Sequence, residues 1–219
     1  EGKNGDMVEK YLISAFAAVL TAIVMAVISF WVLKREGITA EKKNTFLWIA
    51  GAVIYIAAAF LFEYYGYSLW KKVRYDVLFC ALPVLSLTDR KDRRIPNRFL
   101  VILVILRLFI LAGEIISYPL LWTDFLAHAL GGAAGSFLLM MAAWFLSRKK
   151  IGLGDVKLLT VMGFYLGFSL NYIILFLSLI FAALWGVWNV WRKKMDVKDT
   201  VAFAPFITAG LFTALILGL

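Results

Sequence analysis

Cysteine and histidine are almost missing from this chain: one of each, Cys80 and His128, in 219 residues. One thiol excludes a disulfide and a cysteine-based zinc site within the chain, so no metal and no cofactor are expected. Acidic residues are also few, 14 against 23 Lys and Arg, and charged residues together make up only 17%. No pattern of a cleavable signal peptide opens the sequence; residues 1–6 are polar and precede Met7. Internal repeats and low-complexity tracts do not stand out, and apolar residues do not alternate with polar ones, which argues against a membrane β-barrel.

Apolar sequence is what the chain has in excess. It is 63% hydrophobic with a mean hydropathy of +0.86, where a soluble domain holds about half. The apolar residues come in runs near the length that crosses a bilayer as a helix, and helices satisfy their own backbone polar groups in lipid. The expected fold is therefore all-α, a polytopic membrane helical bundle of about eight transmembrane helices. The spans read as 11–33, 46–62, 77–90, 99–116, 125–146, 156–168, 172–191 and 201–219. Tyr64, Tyr65, Tyr67 and Trp70 have the character of headgroup-level aromatics. Ser169-Leu170-Asn171 is expected to turn between spans six and seven. Gly131 and Gly135 in span five have the spacing of a close helix contact.

The net charge of +9 is informative through its placement. Most basic residues follow odd-numbered spans, in Lys34–Lys43, Arg90–Arg98, Arg148–Lys157 and Arg192–Lys198. The positive-inside rule puts these loops in the cytoplasm; Lys71, Lys72 and Arg74 run against it. Short basic clusters between apolar runs do not form a nucleic-acid surface, and no nucleic-acid partner is expected.

Two carboxylates land at the expected cytoplasmic face. Asp155 follows the glycine-bearing break Lys150-Ile151-Gly152-Leu153-Gly154, and Asp89 ends the third span. An acid at the edge of lipid is costly and marks a functional candidate. Two Asp side chains in one site repel, so one keeps its proton and the other stays ionised, as an aspartyl protease dyad requires. Gly152 and Gly154 are expected to give the turn its backbone angles and to let a substrate approach. Other readings stand beside this one. Asp155 can be an N-cap of the sixth helix, and Asp89 can be an interfacial residue paired with Arg93 at i+4. Asp92 lies deeper in the basic loop, Asp76 falls on the opposite side, and His128 and Cys80 read as core residues. Arg107 at mid-span needs a buried partner, with Glu63 and Glu114 as candidates. Pro96 places a turn at Ile95.

Thr88-Asp89-Arg90-Lys91-Asp92-Arg93-Arg94-Ile95-Pro96-Asn97, Gly152-Leu153-Gly154-Asp155-Val156-Lys157 and Phe203-Ala204-Pro205-Phe206 together resemble the type IV prepilin peptidase family. These are GxGD membrane aspartyl proteases that include archaeal preflagellin peptidases. The resemblance covers roughly residues 75–219. It implies a peptidase core of six spans over 71–219, behind a two-span region over 1–70. It implies catalytic Asp89 and Asp155, with Gly152, Gly154, Lys157, Pro96, Asn97 and Pro205 supporting or binding substrate. The implied activity is removal of the short basic leader of pilin, pseudopilin or archaellin precursors. The implied location is the cell membrane, with the active site near the cytoplasmic face. Many bacterial members carry a four-cysteine insert after the first span, associated with N-methylation; here residues 34–45 hold no cysteine, and methylation is not expected. Anionic lipid is an expected partner, offsetting repulsion between a basic enzyme face and a basic leader. Two alternatives remain: a presenilin-like protease using Tyr75-Asp76 with Asp155, and a proton-coupled transporter using the membrane carboxylates.

Overall fold

A computed structural model describes residues 2–35, 55, 57–59, 61–148, 151–192 and 201–219, and among these the chain is helical with no strand. The helices are α1 (Gly2–Arg35), α2 (Leu69–Asp92), α3 (Asn97–Ser117), α4 (Trp122–Leu146), α5 (Leu153–Leu166), α6 (Phe168–Trp191) and α7 (Ala204–Ile216), with a 3-10 turn at Pro119–Leu121. Four stretches among the described residues are long and apolar enough to cross a membrane: Ala18–Arg35, Asn97–Ser117, Pro119–Leu146 and Phe168–Trp191. The apolar α7 is shorter. The protein is an all-α membrane bundle. Most of the expected second span, 46–62, lies outside the described residues.

The chain falls into two compact units, residues 1–81 and 82–219, with the boundary inside α2. In the first unit, Gly66 turns the chain at a φ of +60°. Around that turn Phe62, Tyr67, Tyr75 and Phe79 pack ring to ring. The ammonium of Lys71 sits 3.6 Å from the centre of the Tyr67 ring, and Lys72 pairs with Glu63. Lys71 and Lys72, which run against the charge rule, thus have local partners, and Glu63 is taken by Lys72 rather than by Arg107.

The second unit is organised around α5, which packs against α3, α4 and α6, while α6 packs against α7. Val156, Leu158, Leu159, Val161, Met162, Phe164, Tyr165 and Leu166 of α5 are all buried. A helix apolar all round belongs in the interior of a bundle rather than at its lipid surface. The α4–α5 crossing is made by Gly132 and not by the expected pair Gly131 and Gly135. A Cβ at Gly132 would overlap the backbone of Gly163 and Gly167, whereas one at Gly131 would meet nothing. Gly135 lies against the Phe168 ring. The operative spacing is Gly132 and Ser136, small residues four apart that let two backbones touch.

The turn after α5 is also shorter than expected. Gly167 alone makes it, at a φ of +79° that side-chain-bearing residues rarely adopt, and a Cβ there would overlap the His128 ring. Ser169, Leu170 and Asn171 are already helical. Asn171 is buried and donates from Nδ2 to Ser136 Oγ (2.8 Å) and to the Leu159 carbonyl (2.9 Å), tying α6 to α4 and α5.

Arg107 is 1% exposed and finds its charge partner in Glu114, two turns along α3, at 2.8 Å. Its Nε donates to the Phe164 carbonyl at 2.9 Å. That carbonyl belongs to the last turn of α5, where helix carbonyls lack intrahelical donors and a cation complements the dipole. Arg107 thus caps α5 from a neighbouring helix.

Candidate active site

α2 continues past its apolar stretch, so Asp89 lies one turn before its end at Asp92, as expected. Arg93, at a φ of +50°, ends the helix with its N–H on the Asp89 carbonyl (2.9 Å). Pro96 begins α3 as its N-cap, leaving Ile95 in the short non-helical link. Asp89 is buried at 7% exposure, whereas Asp92 is exposed. Asp76 is buried in the first unit.

Asp155 is not the N-cap of its helix. Gly152 takes that position, and Asp155 sits in the first turn of α5, half-buried, ahead of the buried apolar stretch that begins at Val156. Burial, and then the charge of Asp89, push its carboxyl up to about 6. The N-terminal end of a helix favours the ionised form; here burial and a like charge outweigh it. The effect of one carboxylate on the other places Asp89 and Asp155 in a common electrostatic environment.

The two glycines act through space rather than backbone angle. Gly152 has a φ of −66° and Gly154 is helical, so neither needs the left-handed region, contrary to the expectation from sequence. A Cβ on Gly152 would sit 3.2 Å from Asp155 Oδ2, and one on Gly154 would sit 3.3 Å from Ile95 Cβ. The first glycine leaves room beside the carboxylate. The second lets α5 close on the link between α2 and α3.

Other residues singled out in the sequence join these segments. Lys157 Nζ donates to Asn97 Oδ1 at 3.0 Å, linking the first turns of α5 and α3. The N–H of Ala204 donates to Asp89 Oδ2 at 3.0 Å. Pro205 is the second residue of α7 and has no N–H. The next two amides, Phe206 and Ile207, both reach the Phe203 carbonyl, so the Ala204 amide is the one that takes an acceptor from outside α7. One turn along, the Ser86 and Thr208 hydroxyls meet at 3.1 Å. Sequence reasoning quoted Ala204 only as part of a motif and missed Ser86 and Thr208, because a backbone donor and two ordinary hydroxyls carry no signal until α2 and α7 meet. Among the described residues no cluster of three His, Cys, Asp or Glu could hold a metal ion.

A carboxylate pair, one member half-buried at the head of a helix and the other buried against a backbone amide, is suited to activating water and polarising a carbonyl. The model of the type IV leader peptidase family matches residues 77–187, half of the chain. A prepilin leader peptidase/N-methyltransferase of Bacillus subtilis is 35% identical over 143 residues, covering 65% of this chain and 54% of that protein. One from Pectobacterium carotovorum is 29% identical over 148 residues, covering 66% and 50%. One from Burkholderia pseudomallei is 27% identical over 118 residues, covering 47% and 38%. The chain thus spans about half the length, or less, of the curated relatives it matches. No solved structure matches. The matched segment holds Asp89, Ile95-Pro96-Asn97 and Gly152-Leu153-Gly154-Asp155, and on it the chain belongs to the type IV leader peptidase family.

Proposed function

We propose that the protein is an aspartic endopeptidase that removes the short basic leader of prepilin-like precursors, with Asp89 and Asp155 as its catalytic pair. One observation carries the reading: the two family motifs are brought into one site, Asp89 beside Ala204 and Ile95–Asn97 against Gly154–Lys157. In the reaction, the ionised member of the pair takes a proton from water as the oxygen adds to the scissile carbonyl carbon, and the protonated member polarises the carbonyl oxygen. Breakdown of the tetrahedral intermediate breaks the C–N bond, and a carboxyl proton goes to the leaving amine. A site at the ends of helices rather than at mid-bundle suits a cut beside the precursor's hydrophobic helix. The basic loops of the sequence support a site at the cytoplasmic face of the cell membrane. Anionic lipid there offsets repulsion between the basic rim and the basic leader.

The presenilin-like alternative needs Asp76, whereas Asp89 is the charge that acts on Asp155. The relatives' names include N-methyltransferase; with no cysteine in residues 34–45, methylation is not part of the proposed activity. The purified protein, given a membrane-inserted prepilin precursor and S-adenosylmethionine, tests both points by mass spectrometry of the product. The expected product has lost its leader and carries a free, unmethylated N-terminus. An intact precursor, or a cut within its hydrophobic helix, would refute the peptidase reading. A methyl on the new first residue would refute the second point alone.

A further inference from the structure

We infer that the last helix, α7, sets the division of labour in the aspartate pair: its N-terminal amide at Ala204 holds the negative charge on Asp89, leaving Asp155 to carry the proton. This rests on the proposed pair and assigns a role to each member, with Ala204, Ser86 and Thr208 as positioning residues. Asp89 sits in the last turn of α2, where the carbonyl end of its own helix repels negative charge. What meets it instead is the opposite end of α7, an N-terminus, with the Ala204 N–H 3.0 Å from Oδ2. Hydrogen bonds from an amide to an ionised carboxylate are stronger than those to a neutral one, so this donor favours charge at Asp89. What stands beside Asp155 Oδ2 is Gly152, where a Cβ would sit 3.2 Å away.

The amide is aimed by two features. Pro205 has no N–H, and Phe206 and Ile207 donate to Phe203, which leaves Ala204 for Asp89. One turn further, Ser86 and Thr208 bond through their hydroxyls, and Thr208 also donates back to the Ala204 carbonyl at 3.1 Å. Two polar rungs therefore fix α7 to α2 in rotation and in height. The charged groups of α5 are Asp155 and Lys157, and those beside Asp89 in the last turn of α2 are Arg90, Lys91 and Asp92; α7 contains no titratable residue. On this assignment the active form is Asp89 carboxylate with Asp155 carboxylic acid. Asp89 is charged both in this form and in the doubly ionised one. Loss of the amide therefore disturbs only the acid-side step, the protonation of Asp89.

The test is the pH profile of kcat/KM on a prepilin precursor for Ala204→Pro, which deletes the N–H, and for Thr208→Val, which removes the second rung. Thr208→Ser is the conservative control. Expected is an acid limb moved up by about one pH unit in Ala204→Pro and by less in Thr208→Val, an alkaline limb left in place, and a wild-type profile in Thr208→Ser. If Ala204→Pro does not fold, Thr208→Val alone decides. A folded variant with a uniformly lower rate and unmoved limbs overturns the inference, as does a shift of the alkaline limb instead. Asp89→Asn measured alongside separates the two levels: its full activity would sink the catalytic pair, whereas an inactive Asp89→Asn with unmoved limbs elsewhere sinks only the role of α7.

Discussion

At the scale of single residues the site depends on which groups are excluded as much as on those present. Gly152 leaves space beside Asp155, and its backbone angles are ordinary, so any residue could adopt them but none with a Cβ fits without crowding the carboxylate. Asp155 is raised to about 6 by burial and by Asp89. A raised acid holds its proton below that pH and loses it above. An enzyme that needs the proton on Asp155 is therefore active below and falls off as pH rises through about 6. The alkaline limb of kcat/KM, which reports the free enzyme, is expected near that value for the wild type. Asp92→Asn, a change at an exposed residue, is expected to leave the limb where it is. A limb that moves with Asp92→Asn would show that the wrong carboxylate has been assigned. The positions of Asp89 and Asp155 at the ends of α2 and α5 were legible in the sequence because charged residues at apolar boundaries are conspicuous. The use of the glycines was not, because sequence shows that a side chain is missing but not what occupies the space.

At the scale of elements, α5 is buried on all sides and its two ends are held differently. Its first turn carries Asp155 and the Lys157–Asn97 bond, and its last turn is capped by Arg107. The Arg107–Glu114 pair is 1% exposed on both sides. Removing one partner of such a pair strands the other charge and costs about 3–5 kcal/mol, whereas replacing both by apolar residues is close to neutral. Arg107→Leu is expected to lower the yield of folded protein sharply, with activity per folded molecule little changed. The double change Arg107→Leu with Glu114→Leu is expected to recover most of that yield. Thermal unfolding followed by circular dichroism in detergent measures both, and a double variant as unstable as the single would show that the Phe164 carbonyl is the partner that matters. The sequence announced Arg107 by its position in mid-span and offered Glu63 and Glu114; only the fold, by pairing Glu63 with Lys72, chose between them. From α3 to α7 the helices were legible to within a few residues because lipid-length apolar runs are a strong signal, whereas α1 and α2 begin well before the expected spans, at Gly2 and Leu69. The turns were less so: Gly167 alone makes the turn after α5, where Ser169-Leu170-Asn171 looked better suited. The helix crossing uses Gly132, one position from the expected Gly131, because periodicity along one helix does not say which face its neighbour takes.

At the scale of the molecule, the supporting helices bring three separated segments, around Asp89, Asp155 and Ala204, to one place in the second unit. Two of the three lie within the family match; α7 lies outside it. The central claim is that Asp89 and Asp155 act as one unit. Groups that act as a unit show grossly non-additive losses. The most direct measurement is kcat for leader removal from a membrane-inserted prepilin precursor by Asp89→Asn, Asp155→Asn and the variant carrying both, each confirmed folded by size-exclusion chromatography. Expected is a loss of at least about a thousandfold in each single variant, with no further loss when the two are combined. Near-normal cleavage by Asp89→Asn, or losses that multiply in the double variant, would contradict it.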